Sequence, residues 1–210
     1  MPPENLDALT ETSRAAEVEP RWRGYADYCG LRARGLRAEA FQVLDGFLAD
    51  AADWSLAERV AFAKWVMRAS GHEQRSPRVP APLIRRLLAP AAAEQAHNEP
   101  GDAEAQLLLA VLGDPSGAQP VDRYRAAVAL APANAMIGRV FVRAVLDWTD
   151  YAQHELPCGY LGDPEEDAGL LEQAIASANA FGLGVPTADL LAHRLALARA
   201  AIAGRIPGGE

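Results

Sequence analysis

Apolar side chains recur every three or four residues along most of the chain, which is the spacing that predicts amphipathic helices. The clearest case is the segment of residues 36–51, where the apolar positions share one helical face. No segment sustains the alternation of apolar and polar residues that is typical of strands. We therefore predict an all-α protein built from antiparallel helix pairs. The predicted helices cover residues 20–35, 36–51, 56–70, 83–98, 103–112, 121–131, 135–156, 165–181 and 188–203.

Several predicted helices begin at a residue whose side chain can accept a hydrogen bond from the first backbone N–H groups. Ser55 is followed three residues later by Glu58, which predicts a capping box. Asp102 can cap the helix that follows it. Asp163 is a good N-cap as well, and Pro164 then occupies the first helical position, where proline is favoured.

The pattern divides the chain into three regions. Residues 1–19 are polar and acidic, and they predict a tail or a frayed helix. Residues 20–80 predict an N-terminal helical region, which ends in a connector whose prolines exclude helix. Residues 81–210 predict a helical array, within which Pro90 should cause a kink or a break.

One predicted helix pair, over residues 100–132, carries a spaced set of leucine, small and aromatic positions. These are Leu109 and Ala110 in the first helix, Tyr124 and Ala127 in the second, and the closing Pro132. In this spacing the segment resembles one unit of a tetratricopeptide repeat. It departs from that pattern where Gln106 replaces a Trp and Pro120 replaces an Ala. The resemblance implies a tetratricopeptide-like right-handed solenoid or compact helical array that binds other proteins.

The 210-residue chain carries a formal charge of −8 and has a sequence pI of about 5.1. This acidic balance argues against nucleic acid and anionic membrane as partners, since phosphate groups attract Lys and Arg. Residues 1–19 lack the apolar run of a secretory signal, and no stretch has the apolar length that spans a bilayer. Two distant cysteines, Cys29 and Cys158, do not form a disulfide framework. We therefore expect a cytoplasmic protein with reduced thiols.

The negative charge is concentrated in the C-terminal half of the chain. Residues 144–193 contain nine Asp or Glu and no Lys or Arg, whereas residues 1–90 are nearly balanced. Such a surface could steer a basic partner protein towards this half. The alternative is a solvated face that keeps the protein soluble, and acidic helices are common enough to favour it.

The most unusual stretch is the predicted loop region of residues 151–167, which crowds aromatic residues, a His, a Cys, Gly and Pro between two long helices. Much of it is explained by helix ends: Pro157 stops one helix, and Asp163 starts the next. The remaining polar and aromatic side chains are candidates for contact with a partner. The candidate binding residues are Tyr151, His154, Glu155, Tyr160 and Asp163.

The same stretch allows two chemical interpretations. His154 and Cys158 could act as a base and a nucleophile. His154, Cys158 and Asp163 could instead ligate a metal. A third histidine is missing, and the spacing matches no two-histidine helical motif. We therefore assign no catalytic residue, no metal ligand and no cofactor from the sequence.

The aromatic residues near the start of the chain have two interpretations as well. Trp22, Tyr25 and Tyr28 lie among arginines and could form a partner-binding patch, since Trp, Tyr and Arg dominate interface hot spots. Aromatic residues at helical spacing more often face inward, so we predict a core seam. The same argument places the other tryptophans in the core, namely Trp54, Trp65 and Trp148.

The sequence thus leaves three functions open. The first is a non-catalytic interaction module or adaptor that binds another protein or peptide, basic ones included, through a helical groove and the acidic C-terminal surface. An immunity or inhibitor protein for a basic enzyme is a variant of this function. The second is a protein or enzyme that binds a small molecule or metal through residues 151–167. The third is a scaffold that self-associates as a homo-oligomer.

Overall fold

The computed structural model describes residues 3–73, 76–113, 119–156 and 158–204, with the backbone alone for residues 3–5. Within these ranges every regular element is helical and no strand occurs, which confirms the predicted all-α class. The chain divides into two compact units, Met1–Leu130 and Ala131–Glu210. The region boundary predicted near residue 80 lies inside the first unit. Pro157, which was predicted to stop a helix, lies outside the described residues.

The first unit holds eight of the described α-helical segments. They are α1 (Pro3–Ala16), α2 (Arg23–Ala33), α3 (Arg37–Asp50), α4 (Leu56–Ala69), α5 (Ala81–Leu83), α6 (Ala89–Asn98), α7 (Ala103–Leu112) and α8 (Pro120–Leu130). Short 3-10 turns occur at Pro20–Trp22 and Ala51–Asp53. The helices of the second unit are α9 (Ala135–Gln153), α10 (Pro164–Phe181) and α11 (Val185–Ile202).

The predicted helix starts are confirmed by their hydrogen bonds. Ser55 and Glu58 form the capping box at the start of α4, with both reciprocal bonds present. The carboxylate of Asp102 accepts from two backbone N–H groups of α7, and that of Asp163 does the same for α10. These caps join residues that are close in the sequence, so the residue types at the helix starts were sufficient to predict them.

Residues 3–16, for which the sequence left a choice between a tail and a frayed helix, form α1. Leu9 and Ala16 are fully buried in the first unit. The hydroxyl of Ser13 donates to the carbonyl of Ala26, which ties α1 to α2 at 2.8 Å. Burial of an apolar face therefore stabilises a helix that the polar composition of this segment does not favour.

Pro90 distorts the helix around it. A turn of π-helix at Ile84–Leu88 joins α5 to α6, directly before Pro90. Proline has no N–H to donate, and its ring clashes with the carbonyl four residues earlier, here that of Arg86. The wider π turn accommodates the proline without ending the helix, so the predicted break at Pro90 does not occur and a local π distortion precedes it.

The core of the first unit is aromatic. Tyr25 and Tyr28 of α2 are fully buried, as predicted for the core seam, whereas Trp22 is half-buried and packs on Phe62 and Trp65. Their hydroxyl groups donate to the carbonyls of Arg78 and Pro77, at 2.7 and 2.9 Å, and so hold the connector that precedes α5. Burial raises the pKa of the neighbouring Cys29 thiol to about 12, so this thiol stays protonated at neutral pH.

Ionic contacts join α4 to the start of α7. Lys64, the only lysine of the chain, lies 2.9 Å from a carboxylate oxygen of Asp102 and 3.5 Å from one of Glu104. The guanidinium group of Arg68 donates two hydrogen bonds to the carboxylate of Glu104, one to each oxygen. The positive N-terminal end of α7 favours these carboxylates, and the two basic side chains of α4 balance them.

In the second unit, α9 and α10 approach closely at a glycine. Gly138 is buried in α9, and a Cβ atom added there would overlap the ring of Phe181 at the end of α10. Gly169, inside α10, has open space around the corresponding position. Packing therefore requires glycine at position 138, where the ring of Phe181 occupies the space of a side chain, but not at position 169.

Replacing these two glycines by alanine should have opposite effects on the free energy of unfolding. Gly169→Ala should raise it by roughly 0.5–1 kcal/mol, because alanine favours a helix interior. Gly138→Ala should lower it by roughly 1–3 kcal/mol, because the ring of Phe181 must move to admit the methyl group. Urea unfolding of both variants measures the difference. An equal increase in the free energy of unfolding of both variants would show that Phe181 does not pack on Gly138.

Candidate contact surface on the second unit

A row of aromatic side chains lies near the C-terminal end of α9. Trp148, Tyr151 and His154 follow at three-residue steps, and such residues are neighbours on a helix surface. The ring centroids of Trp148 and Tyr151 are 6.0 Å apart, and those of Tyr151 and His154 are 5.3 Å apart. Trp148 is 47% exposed and Tyr151 57%. The prediction that Trp148 belongs to the core is therefore wrong; we call these three residues the aromatic row.

A buried carboxylate holds Trp148 in this exposed position. The indole Nε1 of Trp148 donates to one oxygen of Asp167 at 2.7 Å. The hydroxyl of Tyr160 donates to the other oxygen at 2.8 Å. Asp167 lies in the first turn of α10 and is only 2% exposed. Because both of its oxygens have donors, this buried side chain is satisfied, and the indole ring is fixed in direction.

The loop between α9 and α10 passes close to the tryptophan ring. Gly162 has a φ angle of +115°, which favours glycine, and a Cβ atom there would lie 3.7 Å from Trp148. The N–H of Leu161 donates to the carbonyl of Ala152 at 2.8 Å. The loop is thus tied back to the end of α9, and it brings Tyr160 towards Asp167.

Hydrogen bonds extend from this carboxylate to α11. The side-chain amide of Gln153 donates to the hydroxyl of Tyr160 at 3.4 Å and to the carbonyl of Arg194 at 2.9 Å. Arg194 in turn contacts the Gln153 side chain and forms an ion pair with Asp150. Burial, and then the hydrogen bond to Asp167, raise the pKa of Tyr160 far above its usual value. Tyr160 therefore remains a neutral donor to the carboxylate at physiological pH.

The five candidate binding residues separate into two groups. Tyr151, His154 and Glu155 lie together on the exposed surface, where His154 Nε2 is 2.8 Å from Glu155 Oε1. Tyr160 is half-buried and hydrogen-bonded to Asp167, and Asp163 caps α10. The first three can meet a partner directly, whereas the last two shape the surface that carries them.

The proposed chemistry of His154 and Cys158 finds no contact in the described residues. The two ring nitrogens of His154 contact the carbonyl of Tyr151 and the carboxylate of Glu155. Cys158 is exposed, and no hydrogen bond joins it to His154 in this part of the chain. Across the described ranges, no group of three His, Cys, Asp or Glu side chains could hold a metal ion.

Sequence reasoning missed most of the supporting residues. Trp148 was predicted to lie in the core, and its hydrogen bond to Asp167 was not predicted. The spacing of Trp148, Tyr151 and His154 was the available signal, because it places all three on one helical face. The roles of Gln153 and Arg194 depend on contacts across 7 and 41 residues of sequence, which no local pattern specifies.

Comparisons with protein-family models, with curated proteins and with solved structures find no match to this chain. No helix in the described part of the chain combines the length and the apolar character needed to cross a membrane. The tetratricopeptide-like resemblance of residues 100–132 stays a prediction, although Leu109, Ala110 and Ala127 are buried as that unit would require.

Asp167→Asn should loosen the aromatic row. An asparagine presents one acceptor oxygen and one NH₂ group, so either Trp148 or Tyr160 would face a donor instead of an acceptor. We expect the free energy of unfolding to fall by roughly 1–3 kcal/mol, the usual effect of leaving a buried polar group without its partner. The indole N–H resonance of Trp148 should also shift and exchange faster with solvent.

Asp189→Asn is the matched control, because Asp189 is an exposed acid of the same unit and the change in charge is identical. Its urea midpoint and the Trp148 resonance should stay as in the unmodified protein. Equal behaviour of the two variants would contradict the role given to Asp167.

Proposed function

We propose that the second unit is a protein-interaction module that binds a basic segment of a partner protein through the aromatic row. The observation that supports this function most directly is that Trp148 is held by a buried carboxylate and still exposes nearly half of its surface. A tryptophan whose only role was to fill the core would be covered. Trp and Tyr dominate the energetics of protein interfaces, because they offer a large contact area with few rotatable bonds.

The fixed direction of the indole ring favours binding. Ordering a flexible side chain at an interface costs about 0.5–1.5 kcal/mol, which weakens association by that amount. Trp148 avoids much of this loss, because its hydrogen bond to Asp167 and the passage of Gly162 beside its ring define its position beforehand. The ring of Tyr151 lies beside it, tilted by 39° at a centroid distance of 6.0 Å, and extends the same surface.

The charge around the aromatic row favours a cationic partner. Asp147 and Glu155 alternate with the row along the chain and are exposed, whereas the exposed Asp150 is already paired with Arg194. Residues 144–193, which include the row, hold nine acidic side chains and no Lys or Arg. These carboxylates would attract Lys or Arg side chains of a partner, which could also form cation–π contacts with the aromatic faces. The role is that of an adaptor, and it requires no chemistry at His154 or Cys158.

Tyr151→Ala should weaken capture of the partner without unfolding the protein. Tagged protein would be incubated with lysate of its source cells, and co-purifying proteins would be identified and quantified by mass spectrometry. We expect one stoichiometric partner whose yield falls about tenfold or more in Tyr151→Ala, in line with the loss of a hot-spot residue. Circular dichroism of the variant should be unchanged, because Tyr151 is exposed.

Ile202→Ala is the matched control, since Ile202 is an exposed large apolar residue of the same unit outside the aromatic row. It should retain the partner. Raising the salt concentration should release the partner from the unmodified protein, because exposed charge pairs are screened. A partner that binds both alanine variants equally, or that persists at high salt, would contradict the proposal.

A further inference from the structure

A groove runs along a different face of α9. It has a volume of about 470 Å³ and is open to solvent, and all of its lining residues belong to the second unit. On α9 it extends from Arg139 to Asp150, which corresponds to about 16 Å at the helical rise of 1.5 Å per residue. Its volume lies within the range of sites that bind small molecules. None of the three residues of the aromatic row lines it.

Arginine is concentrated in this groove. Among the described residues of the acidic second unit there are four arginines, and Arg139, Arg143 and Arg194 all line it. Two acids, Asp147 and Asp150, are the other charged lining residues. Asp150 already pairs with Arg194, so this pair is neutral. The other two arginines lie on α9, and Arg139 stands at the end of the groove away from this pair.

Leucine side chains line the groove between these charges. Leu146 and Leu183 are half-buried, and Leu190 leaves 42% of its surface exposed. An exposed leucine alone needs no explanation, but here it lines a groove together with other apolar side chains. Covering this surface would release free energy in proportion to the apolar area removed from water.

The two ends of the groove differ. Arg194 is held in place by Asp150 and by the Gln153 side chain, so it closes one end with a neutral pair. Arg139 is exposed at the other end, and no acidic side chain of the described residues pairs with it. A guanidinium group with no carboxylate partner can bind one in a bidentate manner. The groove thus combines a cationic end, an apolar middle and a neutral end.

We propose that this groove binds a medium-chain organic monocarboxylate, an amphipathic acid with an unbranched apolar chain. Its carboxylate pairs with Arg139, and its chain lies along Leu146 and Leu190 towards the Arg194–Asp150 pair. The carboxylate matches the guanidinium group of Arg139, whereas a polyphosphate would place further negative charge beside Asp147. The contact with Arg139 is separate from the aromatic row, although the Arg194–Asp150 pair at the other end belongs to the polar network that extends from Asp167.

Calorimetric titration of the full-length protein with decanoate, below the concentration at which decanoate forms micelles, tests the assignment. We expect saturable binding of one decanoate per chain. Decanol, which has the same chain length and no charge, should bind about tenfold more weakly, the loss expected when one charge-assisted hydrogen bond is absent. Decylammonium should bind no better than decanol, because its charge has the wrong sign for Arg139.

Two variants locate the ligand. Arg139→Gln should weaken decanoate binding about tenfold and leave decanol binding unchanged. Leu190→Ser should weaken the binding of both decanoate and decanol, because it removes an apolar side chain that the alkyl chains of both ligands contact. Arg199→Gln is the matched control: Arg199 lies in the same helix as Arg194, pairs with Glu172 and does not line the groove. Its affinity for decanoate should equal that of the unmodified protein.

Three results would overturn the proposal. The first is the absence of saturable decanoate binding to the unmodified protein. The second is equal affinity for decanoate and decanol, which would mean apolar adsorption without recognition of the carboxylate. The third is an equal loss of affinity for decanoate in Arg139→Gln and Arg199→Gln. That result would mean that the overall charge of the unit, and not this groove, attracts the anion.

Discussion

The second unit depends on one buried carboxylate. Asp167 is almost fully removed from solvent, and burying a carboxylate is unfavourable unless its oxygens receive hydrogen bonds. Trp148 and Tyr160 supply those bonds, one to each oxygen. The requirement acts in both directions: the carboxylate needs two donors, and each donor is thereby fixed. An exposed tryptophan and an inward-facing tyrosine are consequences of the same interaction.

This interaction is continued by a chain of polar contacts that joins all three helices of the unit. Tyr160 receives a bond from Gln153 of α9, and Gln153 contacts both the backbone and the side chain of Arg194 of α11. Arg194 then closes one end of the arginine-lined groove through its pair with Asp150. The aromatic row and the groove therefore share one polar support, although they lie on different faces of α9. A buried network of this kind favours a single packing arrangement only when every member is satisfied.

The parts of this structure that the sequence could predict are those governed by neighbours along the chain. The helix periods depend on residues three or four positions apart. The capping box of Ser55 and the caps of Asp102 and Asp163 depend on residues two or three positions apart. Trp148 was misplaced because helical spacing shows that residues share a face without showing whether that face is covered. Local spacing did not predict the hydrogen bond from Tyr160 to Asp167, because the two residues, seven positions apart, become adjacent only when the loop folds back.

The position of charged side chains in space could not be predicted from their order along the chain either. The arginines at positions 139, 143 and 194 fall just outside the acidic interval of residues 144–193, so counting along the chain hides that they meet in one groove. A net charge of −8 acts over long distances, where it attracts cations and repels anions. Contacts with single guanidinium groups act at short range and are strengthened where water is excluded. A basic partner at the aromatic row would therefore benefit from the overall field, whereas an anion in the groove would depend on Arg139 and on the burial of its apolar chain.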